Sequence, residues 1–213
     1  MKISPENKFF SIMSKIGDFI TLNLLFLITC LPVITIGASC CALYFSIKKR
    51  ILDKESYIFH DYFSAWKENF KNATCIWCFF LILSPAFLLF SRYFANHLTN
   101  LLAVAAYLIF LLCFLFTLMY VFPLQATFVN TPHRIIKNAF LTAVLHLPHT
   151  IGLLAATVIP ISITWLFPQA FYFTLAYWLL IGCSLTCTAS VIITGKALEE
   201  YLDPNAHTQK KER

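Results

Sequence analysis

The sequence predicts an all-α, polytopic membrane protein with about five hydrophobic segments, the first broken at Pro32–Gly37, and one amphipathic helix on the cytoplasmic side. Three observations predict it. Hydrophobic side chains make up 59% of the 213 residues and charged ones 12%, against about 25% charged in a soluble domain. A soluble fold of this composition would leave large apolar patches in water, which monomers rarely do. No acidic residue lies between Asn69 and Leu198, and the apolar runs there are long enough for helices that need about 20 residues to cross a membrane.

The elements follow in order. The first apolar run, 16–47, has 32 residues and would reach about 48 Å as one helix, too long for a single straight span. Pro32 disfavours helix at Leu31 and removes a donor, and Thr35 is placed to cap a new helix. Two pieces are expected, about 16–31 and 36–50. Within Lys48–Asn72, Phe59, Phe63, Trp66 and Phe70 recur at helical spacing. They predict an amphipathic helix over about 57–71, lying at the interface. Further apolar runs are 73–94, 101–122, 147–167 and 171–194. Pro123–His146 is expected to extend the flanking helices past the membrane. Residues 1–198 thus form one membrane domain, and 199–213 a polar tail expected to fray.

Orientation follows from lysine and arginine in short loops. The 48–72 segment holds six of them, 123–146 two and the tail together with Lys196 four, whereas the Ser91–Asn100 loop holds only Arg92. The first three regions are expected in the cytoplasm. Reading the first run as a broken hairpin, which the charge rule favours, adds Lys2, Lys8 and Lys15 to that side, whereas a single bent span would place them outside. No small-residue cleavage pattern follows those lysines at a sensible distance. Gly37 stands where a lipoprotein site at Cys40 would want a branched apolar residue.

Asn23-Leu24-Leu25-Phe26, Leu31 through Ser39 and Ala42-Leu43-Tyr44 resemble the opening of the YesL-like family of bacterial integral membrane proteins, a domain of unknown function. Trp66 with Asn69-Phe70, Phe122-Pro123, and Asn138-Ala139 before Pro148 are similar too, so the resemblance runs over nearly the whole chain. The Pro-Val-x-Thr-Ile-Gly-Ala stretch is its most specific part. The resemblance implies a role around carbohydrate uptake, and it brings no catalytic residues.

Candidate chemistry is sparse. Cys75 and Cys78 have the spacing of a redox or metal pair, but one pair is half a zinc site and an apolar helix disfavours thiolates. Core packing is the expectation for all eight cysteines. His146 and His149, with His133, lack the accompanying ligands a zinc site needs. Asp18 is close enough to the end of its run to reach headgroups. Asn23 lies deeper, needs a partner across helices, and is assigned the backbone exposed at Pro32–Gly37. Arg92 and His97 are read as snorkelling to the outer interface. Gly182, Ser184, Thr186, Cys187, Thr188 and Ser190 permit close helix packing or line a solute path.

Asn23, Pro32, Thr35 and Gly37 are therefore the structural or gating candidates, and Phe59, Phe63, Trp66 and Phe70 the partner-docking candidates. The expected function is a non-enzymatic accessory or regulatory membrane protein, with a transporter or permease-like component for a small solute as the alternative. No cofactor or metal is expected. The expected partners are the lipid bilayer of the cell membrane and sugar-uptake transporter components, with no nucleic acid. The missing acids argue against proton or sodium coupling through carboxylates, and no nucleophile is assembled with a base.

Overall fold

The computed structural model describes residues 5–52, 57–96, 101–166 and 171–202, and those residues are helical throughout apart from short turns. Helix α1 (Pro5–Thr29) is followed by a 3-10 turn (Val33–Thr35) and α2 (Ile36–Leu52). Then come α3 (Ile58–Asn96), α4 (Leu101–Thr127), α5 (Pro132–Leu145) and α6 (Leu147–Leu166). The chain ends as one rod, α7 (Phe171–Tyr177) passing through a π-helical segment (Trp178–Gly182) into α8 (Cys183–Leu202). Among the described residues, Val104–Thr127, Leu147–Thr164 and Tyr172–Lys196 are long and apolar enough to cross a membrane. They coincide with three of the five apolar runs, and the protein is a helical membrane protein.

Two stretches take forms that the sequence reading did not anticipate. The amphipathic stretch and the 73–94 run are not separate helices but one 39-residue helix, α3, about 58 Å long. No glycine or proline occurs from Ile58 to Ser84, so nothing breaks the helix where its surface changes from polar to apolar. Nor does the 123–146 segment simply prolong its neighbours. Thr131 is extended, Pro132 opens a new helix, and His146 leaves helical geometry at the end of α5. Pro132 suits a first helical position because the missing N–H would be unpaired there anyway. Ile135, Ala139, Thr142 and Ala143 give α5 a buried face, set mainly on α4.

The first run is a hairpin. Asp18 near its start forms a salt bridge with Arg50 near its end, so the arms leave from the same end of the bundle, here termed the basic end. Helix α2 packs antiparallel on the first part of α3, with Gly37 against Ala73 and Lys49 paired with Asp61 at 2.8 Å. From Ala73, α3 runs on to Asn96, about 34 Å further. The hairpin tip is thus level with the middle of α3.

Small residues make that packing possible. Ala38, Cys41, Ala42, Ala65 and Ala73 are all buried where α2 and α3 meet their neighbours. One core cluster gathers Ile76, Phe80, Tyr120, Ile135 and Leu153, and the other gathers Leu22, Tyr44, Ile47, Tyr62 and Val191. Trp66 and Ala126 touch both. Within this core, three tyrosine hydroxyls meet threonine hydroxyls of other helices. Tyr62 meets Thr29 at 2.6 Å, Tyr44 meets Thr194 at 2.7 Å, and Tyr120 meets Thr150 at 3.2 Å. Thr29 and Thr194 also donate to a carbonyl four residues back, leaving their oxygens free to accept, whereas Thr150 donates to the Tyr120 oxygen. Such pairs let a tyrosine bury its ring without leaving its hydroxyl unsatisfied.

Candidate functional site

Two irregularities and a cavity stand out among the described residues. The first irregularity is the hairpin turn. Pro32 is extended at φ −75° and ψ 112°, which ends α1 and turns the chain. Thr35 does not cap α2 as expected. Its hydroxyl points backwards and reaches the carbonyls of Thr29 at 2.6 Å and Pro32 at 2.8 Å, so it closes the open end of α1 instead. Trp77 of α3 donates its Nε1–H to the Val33 carbonyl at 2.7 Å. Gly37 fulfils the expectation of a close backbone approach. A Cβ there would sit 2.5 Å from the Ala73 carbonyl oxygen and 2.8 Å from the Trp77 Cβ. The turn's own apolar side chains face outward, with Leu31 79% exposed, as suits a tip in contact with lipid.

The second irregularity is the π segment, and here the expectation for Asn23 is corrected. Its partner is not the Pro32–Gly37 backbone. The fully buried amide donates to the carbonyls of Trp178 at 3.0 Å and Leu179 at 2.7 Å, and its oxygen accepts from the Ser184 N–H at 3.0 Å. A π turn widens the helix and displaces backbone groups from their i→i+4 partners. A primary amide, with two donors and one acceptor oxygen, matches such a set. The Ser184 hydroxyl adds a bond to the Phe19 carbonyl at 2.9 Å. The first helix is thereby fastened to the last.

Between these features lies a cavity of about 240 Å³. Phe26 of α1, Cys40 and Tyr44 of α2, Met119 and Pro123 of α4, Thr157 of α6, and Cys183, Thr186, Cys187 and Ser190 of α8 help line it. Thr186, Cys187 and Ser190, three of the six small residues noted in the last span, therefore face a space rather than a helix. Drug-sized ligand sites enclose about 300–1,000 Å³, so this one suits a slender group.

The residues from Phe19 to Phe90 supply the hairpin, its turn and most of α3. Residues 19–90 match the protein family of unknown function DUF624. The residues Asn23–Phe26, Leu31–Ser39 and Trp66 that carried the resemblance fall inside this match. The Phe122–Pro123 and Asn138–Ala139 pairs fall outside it, so the match is shorter than the resemblance. No curated protein and no solved structure matches the chain.

Within the DUF624 stretch the docking stripe divides. Trp66 and Phe70 turn inward, their rings 4.8 Å apart and packed on the first core cluster, which removes Trp66 as an anchor for an external partner. Phe59 and Phe63 remain exposed, at 61% and 40%. Cys75 is exposed rather than core, and Cys78 is half-buried. Asp18, read as reaching headgroups, instead pairs with Arg50. His146 and His149 meet edge to face, 5.9 Å between ring centres. No set of three histidine, cysteine or acidic side chains among the described residues is arranged to hold a metal. Arg92 is exposed on α3, and His97 lies outside the described residues.

The sequence reading missed the π segment and the tyrosine–threonine pairs. A signal for the latter was present: Tyr44, Tyr62 and Tyr120 interrupt otherwise apolar helix faces, and buried tyrosines seek partners. Nothing in Trp178–Gly182 announces a π turn.

Proposed function

We propose that this chain is a non-enzymatic accessory or regulatory protein of the cell membrane, associated with carbohydrate uptake, that presents the exposed Phe59–Phe63 edge of α3 to a partner protein. One observation carries the choice over a transporter. Transporters display unwound backbone to their substrates at broken helices. Here the carbonyls of Thr29, Pro32 and Val33 are taken by Thr35 and Trp77, and the groups freed at the π segment are taken by Asn23. The two breaks are spent on the protein itself. Association with carbohydrate uptake rests on the YesL-like resemblance.

A photo-reactive phenylalanine analogue placed at position 63 in native membranes is expected to give a discrete protein adduct, scored against sugar-uptake components. The same group at position 66 should give an internal cross-link. Adducts to lipid alone at both 59 and 63 would end the accessory reading. The alternative, a transporter or permease-like component for a small solute, draws its support from the 240 Å³ cavity.

The basic loops are proposed to face the cytoplasm, and the Asp18–Arg50 pair supports an N-terminal arm on that same side. Single cysteines introduced at Lys54, Lys137 and Lys211 should label together, and one at Asn96 from the opposite face. Labelling of positions 54 and 96 from one side would refute the assignment. Exposure of position 4 with Asn96 would refute the N-terminal part alone.

A further inference from the structure

Lys48, Lys49 and Arg50 end α2 at the basic end and fan out to three neighbours. Lys49 pairs with Asp61 of α3 and Arg50 with Asp18 of α1. Lys48 turns the other way, towards α4, and donates only a long 3.4 Å hydrogen bond to the Thr127 hydroxyl. No carboxylate among the described residues lies within ion-pair distance of it. It is half-buried, and loss of hydration pushes its ammonium below the usual lysine range.

The cavity lies one helical turn away. Tyr44, Pro123 and Ser190 line it on three helices. Four residues further along the same helices stand Lys48, Thr127 and Thr194, about 6 Å nearer the basic end. A slender apolar space beside a cation with no counter-charge among the described residues has the pattern of an acyl chain and an anionic head. We infer that this part of the bundle binds an anionic phospholipid, with its phosphate on Lys48 and Thr127 and one acyl chain in the cavity. Anionic lipid is drawn to basic residues at a membrane surface, and here it also relieves a desolvated charge. The site is independent of any protein that docks at Phe63.

Native mass spectrometry of the detergent-purified full chain tests this, with phosphatidylglycerol and phosphatidylcholine supplied at equal concentration. The wild type should retain phosphatidylglycerol in preference. Lys48→Gln should cut that retention roughly fivefold, the value of one basic residue near an anionic surface. Lys48→Arg should restore it, and Lys137→Gln, at an exposed lysine on α5, should leave it unchanged. Cys187→Phe fills the cavity and should abolish retention with Lys48 intact, while the thermal midpoint holds. Equal retention of both lipids, or undiminished retention in Lys48→Gln, would overturn the proposal. So would displacement of phosphatidylglycerol by millimolar inorganic phosphate, because the site would then be for the phosphate alone.

Discussion

Gly37→Leu is expected to prevent assembly of the bundle while leaving membrane insertion intact. The added Cβ would lie 2.5 Å from the Ala73 carbonyl oxygen, and that oxygen belongs to a helix backbone that cannot swing aside. Overpacking a core usually costs about 1–3 kcal/mol, and a clash with backbone at the tightest α2–α3 contact belongs at or beyond the top of that range. The remaining leucine atoms would also drive against Trp77, whose Nε1–H fixes the Val33 carbonyl. The hairpin tip would be pushed from α3, and Lys49 would be drawn from Asp61. Thermal unfolding of the purified protein in detergent reads this directly. A midpoint within a degree or two of wild type would show that the α2–α3 approach is not tight. Gly17, which has open space around its Cβ position, is the control, and Gly17→Ala should be silent.

Asn23→Leu should be the second large loss. It keeps the side chain's bulk but strands the Trp178 and Leu179 carbonyls and the Ser184 N–H inside the bundle. An abandoned buried polar group costs about 1–3 kcal/mol. Some of that is recovered when the π segment relaxes to an ordinary α-helical turn. A loss of about 3 kcal/mol is expected, with destabilisation concentrated at the α1–α8 seam. Thr186→Ala is the comparison, since that hydroxyl bonds only to carbonyls of its own helix and the adjoining turn, Gly182 and Cys183. It should move the midpoint little. Equal effects of the two substitutions would deny Asn23 its cross-helix role.

Asn23 also shows how far the sequence could be read. That an amide so deep in an apolar run must find a partner follows from the cost of an unsatisfied polar group, and it held. Which partner it finds depends on tertiary neighbours, and Trp178 lies 155 residues away along the chain. Gly37 was legible because glycine after a proline break signals close approach. Thr35 was misread because a threonine at a helix boundary can serve the helix ahead or the one behind, and only the turn's geometry chooses. The aromatic stripe was legible as a stripe, but it lies at the edge of the buried face set by Asp61, Tyr62, Ala65 and Ala73, and the core covers it only from Trp66 onward. Trp66 and Phe70 therefore fell to the core and Phe59 and Phe63 to the surface. The helical class and three membrane-length segments needed only composition and run length. The merging of the amphipathic stretch into α3 was hidden, because a change from polar to apolar surface does not itself end a helix.

The seam between α1 and the π segment sets an order on the protein's synthesis. A chain emerging from the ribosome presents Asn23 early and Ser184 near the end, so through most of translation the amide has none of its three partners. The hairpin tip reaches only the middle of α3, and it lacks most of its neighbours until the later helices surround it. Completion of the last span is the event that gives it a place. A product cut short within α4 lacks every partner of the Asn23 amide. The polar bond that fastens α1 to the π segment thus forms only once α8 has been made.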